Sequence, residues 1–161
     1  MRIAVAFTGP SNSGKTTLIE NIAKKLIDRY KILIIKNDPK DKAEFDREGK
    51  DSYKFFQTGA EVVITSPTRT TYFSHKKREI EDIIKMVDEF DLLFVEGLKT
   101  IPLPRIGIFR DKLDISYFDF IKSVAINSTI KRENIPKEID ILDLNNIDLI
   151  IDWIFKNGKR V

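Results

Sequence analysis

The chain has no cysteine and only one histidine among its 161 residues. Without cysteine there are no disulfide bonds, no thiolate nucleophile and no metal site built on thiolates. The lone histidine, His75, has no partner at the spacing of a metal site or a catalytic triad. These absences fit a reducing compartment, and we expect a cytoplasmic protein.

Long apolar runs and a strong excess of one charge are also missing. No apolar run approaches the length of a membrane span, so we expect a soluble protein with no membrane partner. The 28 basic and 25 acidic residues give a net charge of +3. They are mostly interspersed, which is typical of a solvated surface rather than a nucleic-acid interface. Since no linker or repeat is evident, we expect a single nucleotide-binding domain over residues 1–161.

The most informative segment is Gly9-Pro10-Ser11-Asn12-Ser13-Gly14-Lys15-Thr16, which has the pattern G-x-x-x-x-G-K-T. It follows an apolar run and precedes a helical pattern, which is the setting of a phosphate-binding loop. Glycines let the backbone curl so that successive N–H groups point at phosphate oxygens. The positive end of the following helix dipole favours the same anion.

The side chains of this segment have distinct predicted tasks. Lys15 supplies a positive charge for the β- and γ-phosphates, and Thr16 offers a hydroxyl ligand to Mg²⁺. The predicted phosphate site consists of Gly9, Pro10, Ser11, Asn12, Ser13, Gly14, Lys15, Thr16 and Thr17.

Strand patterns and helical patterns alternate along the chain. The strand patterns cover residues 3–7, 31–36, 61–65, 70–73, 91–97, 105–110, 122–126 and 139–144. The helical patterns cover residues 15–29, 51–58, 80–90 and 147–154, and a charged loop covers 37–50. This alternation predicts a three-layer α/β fold with a mostly parallel sheet, plus a small β-hairpin insertion around Pro67.

Polar residues follow several of the predicted parallel strands. Open parallel sheets bind ligands outside the carboxyl ends of their strands. The second strand leads to Lys36 and Asp38, the strand of the nineties to Glu96, and the strand at 122–126 to Asn127. We therefore predict that Lys36 and Asn127 contribute to the nucleotide site.

An acid at the end of a hydrophobic strand usually accompanies a phosphate-binding loop, where it orients the hydrated Mg²⁺ or an attacking water. We assign this task to Glu96, so the predicted catalytic residues are Lys15 and Glu96. The predicted metal ligands are Thr16, Glu96 and Asp38, with Asp41 and Asp46 of the charged loop as alternatives to Asp38.

A series of motifs resembles the molybdopterin-guanine dinucleotide biosynthesis protein B (MobB) family over nearly the whole chain. After the loop they are Lys36, Asp46 ahead of Gly49-Lys50-Asp51-Ser52, Thr58-Gly59-Ala60, Val95-Glu96-Gly97 with Lys99, and Leu142-Asp143-Leu144-Asn145-Asn146. The resemblance implies a P-loop NTPase fold and a GTP-binding protein of molybdenum cofactor biosynthesis, usually a homodimer, with weak GTPase activity. Such a protein assists the molybdopterin guanylyltransferase that joins GMP to molybdopterin, and binding of molybdopterin itself stays open.

Two positions depart from the family pattern. The family often has histidines where this chain has Asn37 and Asp38, and it tends to carry an acid at the position of Asn127. A carboxylate would accept from guanine N1–H and from the 2-amino group, whereas an amide offers one acceptor oxygen and a competing NH₂. The guanine preference therefore follows from the resemblance alone.

Two other functions share these residues. A small-molecule or nucleotide kinase has the same loop and size, but typically closes an arginine-bearing lid, and the arginines here are scattered. No arginine finger is evident near the loop in the sequence, so hydrolysis is expected to be slow. A nucleotide-dependent adaptor without significant catalysis would use the loop at 37–50 as a switch.

The exposed edge of the hairpin is expected to pair between two copies of the chain.

Overall fold

The structure is a computed structural model that describes residues 2–87 and 89–161. The chain forms two compact units. The first comprises the chain up to Asn37 together with Glu89–Val161, and it contains the phosphate-binding loop. The second is the segment between these parts and begins at Asp38.

The regular elements follow the predicted alternation. The strands are β1 (Ile3–Thr8), β2 (Ile32–Lys36), β3 (Val62–Thr65), β4 (Thr70–Phe73), β5 (Leu92–Glu96), β6 (Arg105–Phe109), β7 (Ser123–Ile126), β8 (Asp140–Asp143) and β9 (Lys159–Arg160). The α-helices are α1 (Lys15–Leu26), α2 (Asp51–Gln57), α3 (Ile80–Met86) and α4 (Ile147–Asn157). Short 3-10 helices span Ile115–Phe120 and Arg132–Asn134.

The sheet of the first unit has the strand order β2-β5-β1-β6-β7-β8, with every neighbouring pair parallel. All six residues of β1 are buried, as expected for a central strand covered on both faces. The two-residue strand β9 pairs antiparallel with the start of β1. Because the other strands run in one direction, their carboxyl ends meet along one edge of the sheet.

Helices α1 and α4 contribute to one hydrophobic cluster together with alternate residues of β1, including Val5 and Phe7. The helix α4 begins at its cap Asn146, whose Oδ1 accepts a hydrogen bond of 3.2 Å from the Leu149 N–H. A second cluster joins β7 to the loops and the 3-10 helix that follow β6, including Tyr117. Short turns and apolar loops thus contribute to the second cluster, whereas α-helices contribute to the first.

The second unit contains α2, the hairpin of β3 and β4, and α3. The hairpin pairs antiparallel from Val62 opposite Phe73 to Thr65 opposite Thr70. Its turn is closed by the Ser66 N–H, which donates to the Arg69 carbonyl at 2.9 Å. The predicted β-hairpin is therefore present.

The predicted α/β fold with a mostly parallel sheet is confirmed, with differences at the ends of elements. The helix predicted to reach Phe90 ends at Met86, and Phe90 is buried just before β5. The strand β9 was not predicted, because two residues are too few for a period-2 pattern. In the part of the chain that the structure describes, no helix is both long and apolar enough to span a membrane.

Candidate nucleotide-binding site

The phosphate-binding loop leaves β1 at Gly9, where only glycine fits. A Cβ at this position would lie 2.4 Å from the Ile108 carbonyl oxygen, and the φ of Gly9 is +149°. Both features exclude an L side chain. The loop therefore passes close to β6 before it turns into α1.

The start of α1 has no cap from the protein itself. Gly14 occupies the N-cap position with a φ of +95°, no side chain caps the helix, and its first turn carries no acidic residue. The first N–H groups of a helix have no partner within the helix, and they lie at the positive end of its dipole. This end of α1 is therefore suited to an anion.

Ser13 gives a second sign of an anion site. The residue is 6% exposed, and its Oγ has no hydrogen-bond partner among the described residues. Leaving a buried hydroxyl unpaired costs about 1–3 kcal/mol. An oxygen-rich ligand in the loop would provide the missing partner.

The ammonium group of Lys15 lies across the loop. Its Nζ donates to the carbonyl oxygens of Gly9, at 3.0 Å, and of Pro10, at 2.6 Å. Burial lowers the pKa of Lys15, the Glu96 carboxylate opposes this shift, and Lys36 adds to it. Two neutral carbonyls compensate a partly buried charge poorly, so phosphate oxygens would be better partners for this group.

The structure brings Thr16, Lys36 and Glu96 together. Lys36 ends β2 and Glu96 ends β5, and the two residues are in register as neighbours in the parallel sheet. With Thr16 they line one end of a cleft of about 400 Å³ whose remaining lining includes Ile19 and Ala23 of α1. A hydroxyl, a cation and a carboxylate thus share the β2–β5 side of the loop.

A buried arginine fixes the turn that follows Glu96. The guanidinium of Arg105 donates from Nη1 to the Gly97 carbonyl and from Nη2 to the Leu98 carbonyl, both at 2.7 Å. Arg105 is 1% exposed, and burial lowers its pKa. Leu98 adopts a φ of +47°, which is uncommon for a non-glycine residue. The arginine therefore holds a strained turn in place next to the predicted catalytic acid.

Asp38 belongs to the second unit and has structural contacts there. Its Oδ2 accepts hydrogen bonds from the N–H groups of Lys42, at 2.6 Å, and Ala43, at 2.7 Å. Among residues 2–87 and 89–161, no group of three or more His, Cys, Asp or Glu side chains could hold a metal ion. The role of Asp38 as a metal ligand stays a prediction.

Asn127 follows β7, on the opposite side of β1 from Glu96. Its Oδ1 lies 2.6 Å from the Thr129 hydroxyl and accepts the Thr129 N–H at 3.3 Å. The same hydroxyl lies 2.5 Å from the carbonyl oxygen of Arg110. Thr129 thus links the residues that follow β6 and β7.

Arg110, which the sequence shows only as one of several scattered arginines, lies beside the loop in the structure. A Cβ on Gly14 would lie 3.0 Å from Nε and 3.1 Å from Nη2 of Arg110. No arginine finger is evident near the loop in the sequence, yet the fold brings this arginine next to Gly14. Arg110 is the first residue after β6, so the strand-end rule that singled out Glu96 could also have found it.

Two clefts adjoin Arg110. One has a volume of about 670 Å³ and is lined by loop residues 10–13 and by residues 109–115. The other, of about 160 Å³, is lined by residues that include Thr17, Asn21 and Asn145. A ligand that extends beyond the phosphate-binding loop thus has space on the β6–β8 side.

A central parallel strand, a glycine-containing loop and a helix that begins with lysine and threonine define the class: this is a P-loop NTPase fold. The sequence model described as "Molybdopterin guanine dinucleotide synthesis protein B" (MobB) matches residues 4–131. The chain belongs to this family, as the motifs predicted.

Individual relatives agree with this assignment. The chain is 31% identical over 159 residues to the molybdopterin-guanine dinucleotide biosynthesis adapter protein of Haemophilus influenzae, covering 93% of this chain and 86% of the relative. It is 25% identical to the adapter protein of Escherichia coli, covering 96% and 94% of the two chains. The crystal structure of Bacillus subtilis MobB superposes with a TM-score of 0.75 at 21% identity, covering 99% of each chain, and shows the same fold.

Proposed function

We propose that this chain binds GTP with Mg²⁺, hydrolyses it slowly and acts as a nucleotide-dependent adapter in the formation of molybdopterin guanine dinucleotide. The observation that carries the proposal is the anion site of the loop, with an uncapped α1 and an unpartnered Ser13 hydroxyl. Membership of a family whose relatives are named adapter proteins supports the rest.

The loop would bind the phosphate chain through backbone N–H groups, one hydroxyl and one ammonium group. The N–H groups at the start of α1 and the Ser13 hydroxyl would donate to phosphate oxygens. The Lys15 ammonium would exchange the carbonyls of Gly9 and Pro10 for the β- and γ-phosphates. These contacts do not depend on the base, so the loop alone accepts any nucleoside triphosphate.

Thr16 and Glu96 fit a hard cation in their chemistry, because a hydroxyl and a carboxylate are oxygen ligands and both residues line the same cleft next to the loop. Thr16 and phosphate oxygens would hold Mg²⁺, with Glu96 or Asp38 as a further ligand. The ion, when bound, neutralises charge on the phosphate oxygens. Glu96 would also orient the attacking water, while Lys36 would contribute positive charge to the same side.

The proposals for the base, the partner enzyme and the homodimer rest on family membership. Asn127 is the candidate for reading the base, although its amide matches guanine less completely than a carboxylate would. The partner would be the guanylyltransferase that attaches GMP to molybdopterin, in the cytoplasm. A homodimer would form through the exposed edge of the hairpin, which carries Val63 and Ile64 at its surface.

Calorimetric titration with GTP, GDP and ATP in the presence of Mg²⁺ tests the proposal. We expect GTP to bind more tightly than ATP, and Lys15→Ala to lower GTP affinity on the order of 100-fold, because two or more charge-assisted bonds are lost. Lys122→Ala is the matched control, since this exposed lysine precedes β7 at the opposite edge of the sheet. Failure of the wild-type protein to bind GTP, or equal binding by Lys15→Ala, would refute the proposal.

A further inference from the structure

The side chain of Arg110 lies flat against the end of the phosphate-binding loop. Its Nε, Nη2 and Cζ atoms lie between 3.0 and 3.2 Å from the point that a Gly14 Cβ would occupy. The missing Cβ of Gly14 is therefore what gives the guanidinium its place beside the first turn of α1.

No anion among residues 2–87 and 89–161 explains this position. Among the described residues, the Arg110 side chain takes part in no ion pair or hydrogen bond, and the first turn of α1 has no acidic residue. A guanidinium and the positive end of a helix dipole repel each other. Two positive groups that converge without a carboxylate between them indicate a site for a ligand anion.

The two sides of the loop differ in which end of a phosphate chain they would meet. Glu96 and Lys36 act electrostatically on the Lys15 ammonium, and they lie on the β5 and β2 side of β1. The lysine of this motif meets the β- and γ-phosphates. Arg110 lies on the opposite side, after β6, and lines a small cleft with Thr17 and Asn145.

We propose that the Arg110 guanidinium binds the α-phosphate of the nucleotide, on the side of the loop opposite Glu96. Its planar fork can donate two parallel hydrogen bonds to phosphate oxygens. The inference rests on the proposed function only in requiring a nucleotide in the loop. Arg110 is then a determinant of affinity for nucleoside diphosphates and triphosphates alike, rather than a sensor of the γ-phosphate.

The test compares the dissociation constants of GDP and GTP for the wild type, Arg110→Ala and Arg110→Lys. We expect Arg110→Ala to weaken both nucleotides by a similar factor, on the order of 10-fold, and lysine to restore part of the loss. Arg132→Ala is the matched control, because it removes the same charge from an exposed 3-10 helix and should leave both constants unchanged. Thermal unfolding without nucleotide verifies that each variant is folded.

The outcomes separate this inference from the proposed function. If the wild type binds no nucleotide, the proposed function fails. If the wild type binds but Arg110→Ala binds equally well, or loses affinity for GTP alone, the α-phosphate assignment is wrong. GMP, measured by competition, gives an independent readout: Arg110→Ala should weaken it more than Lys15→Ala does.

Discussion

The two sides of the phosphate-binding loop are built differently. On the β2–β5 side, Glu96 ends a buried strand, and the turn after it is fixed by two hydrogen bonds from the buried guanidinium of Arg105. On the β6–β8 side, the Thr129 hydroxyl lies next to two acceptors, the carbonyl oxygen of the exposed Arg110 and the Oδ1 of the half-buried Asn127. We therefore propose that water activation takes place on the β2–β5 side and nucleotide recognition on the β6–β8 side.

The largest expected effect would come from replacing the acid on the β2–β5 side. Glu96→Gln keeps the shape of the side chain but cannot accept a proton or hold negative charge. We expect the single-turnover rate of GTP hydrolysis to fall on the order of 100-fold, while GTP affinity changes by less than about threefold. Asp91→Asn is the control, because Asp91 immediately precedes β5 at its other end and accepts the Lys31 N–H at 2.8 Å. An unchanged rate in Glu96→Gln would remove the catalytic assignment.

A smaller effect is expected on the recognition side. Asn127→Asp would supply two acceptor oxygens for the N1–H and 2-amino groups of guanine, and it preserves an acceptor for the Thr129 donors. We expect the ratio of GTP to ATP affinity to rise about tenfold, measured by competitive titration. Asn134→Asp adds the same charge to an exposed 3-10 helix and should leave the ratio unchanged. A constant ratio in both variants would show that Asn127 does not read the base.

The smallest expected effect has opposite signs for folding and binding. Ser13→Ala removes a buried hydroxyl that has no partner, so we expect the free energy of unfolding without nucleotide to rise by about 1 kcal/mol. The affinity for GTP should fall a few-fold, because a donor to phosphate is lost. Chemical denaturation and calorimetry measure the two quantities, with Ser11→Ala as the exposed control for unfolding. A fall in unfolding free energy would mean that the hydroxyl is satisfied in solution.

Much of the fold could be predicted because its signals are local. The apolar run of β1, the loop motif and the helical spacing of α1 are each visible within a few residues. The strand-end rule selected Lys36 and Glu96, which lie side by side. Their exact pairing could not be predicted, since it depends on β2 being the neighbour of β5, and that order is not encoded locally.

Arg110 and Arg105 were not assigned to the site from the sequence, for two different reasons. The predicted strand 105–110 ended on Arg110, whereas β6 ends at Phe109, and a strand-end arginine has no fixed place in the phosphate-loop pattern that drew attention to the acid Glu96. Arg105 was equally hidden, because its partners are the carbonyl oxygens of Gly97 and Leu98. Every residue has a carbonyl group, so no sequence pattern identifies such a pair.

The contact between Arg105 and the turn at Gly97–Leu98 has a consequence for protein engineering. A designer who grafts the Glu96 turn onto another parallel sheet would transfer a strained backbone, with Leu98 at a φ of +47°, without the group that holds it. Lysine could not replace the arginine, because a single ammonium lacks the fork that reaches two carbonyls at 2.7 Å. The acid, its turn and the arginine at the start of the next strand form one transferable module, and they have to be moved together.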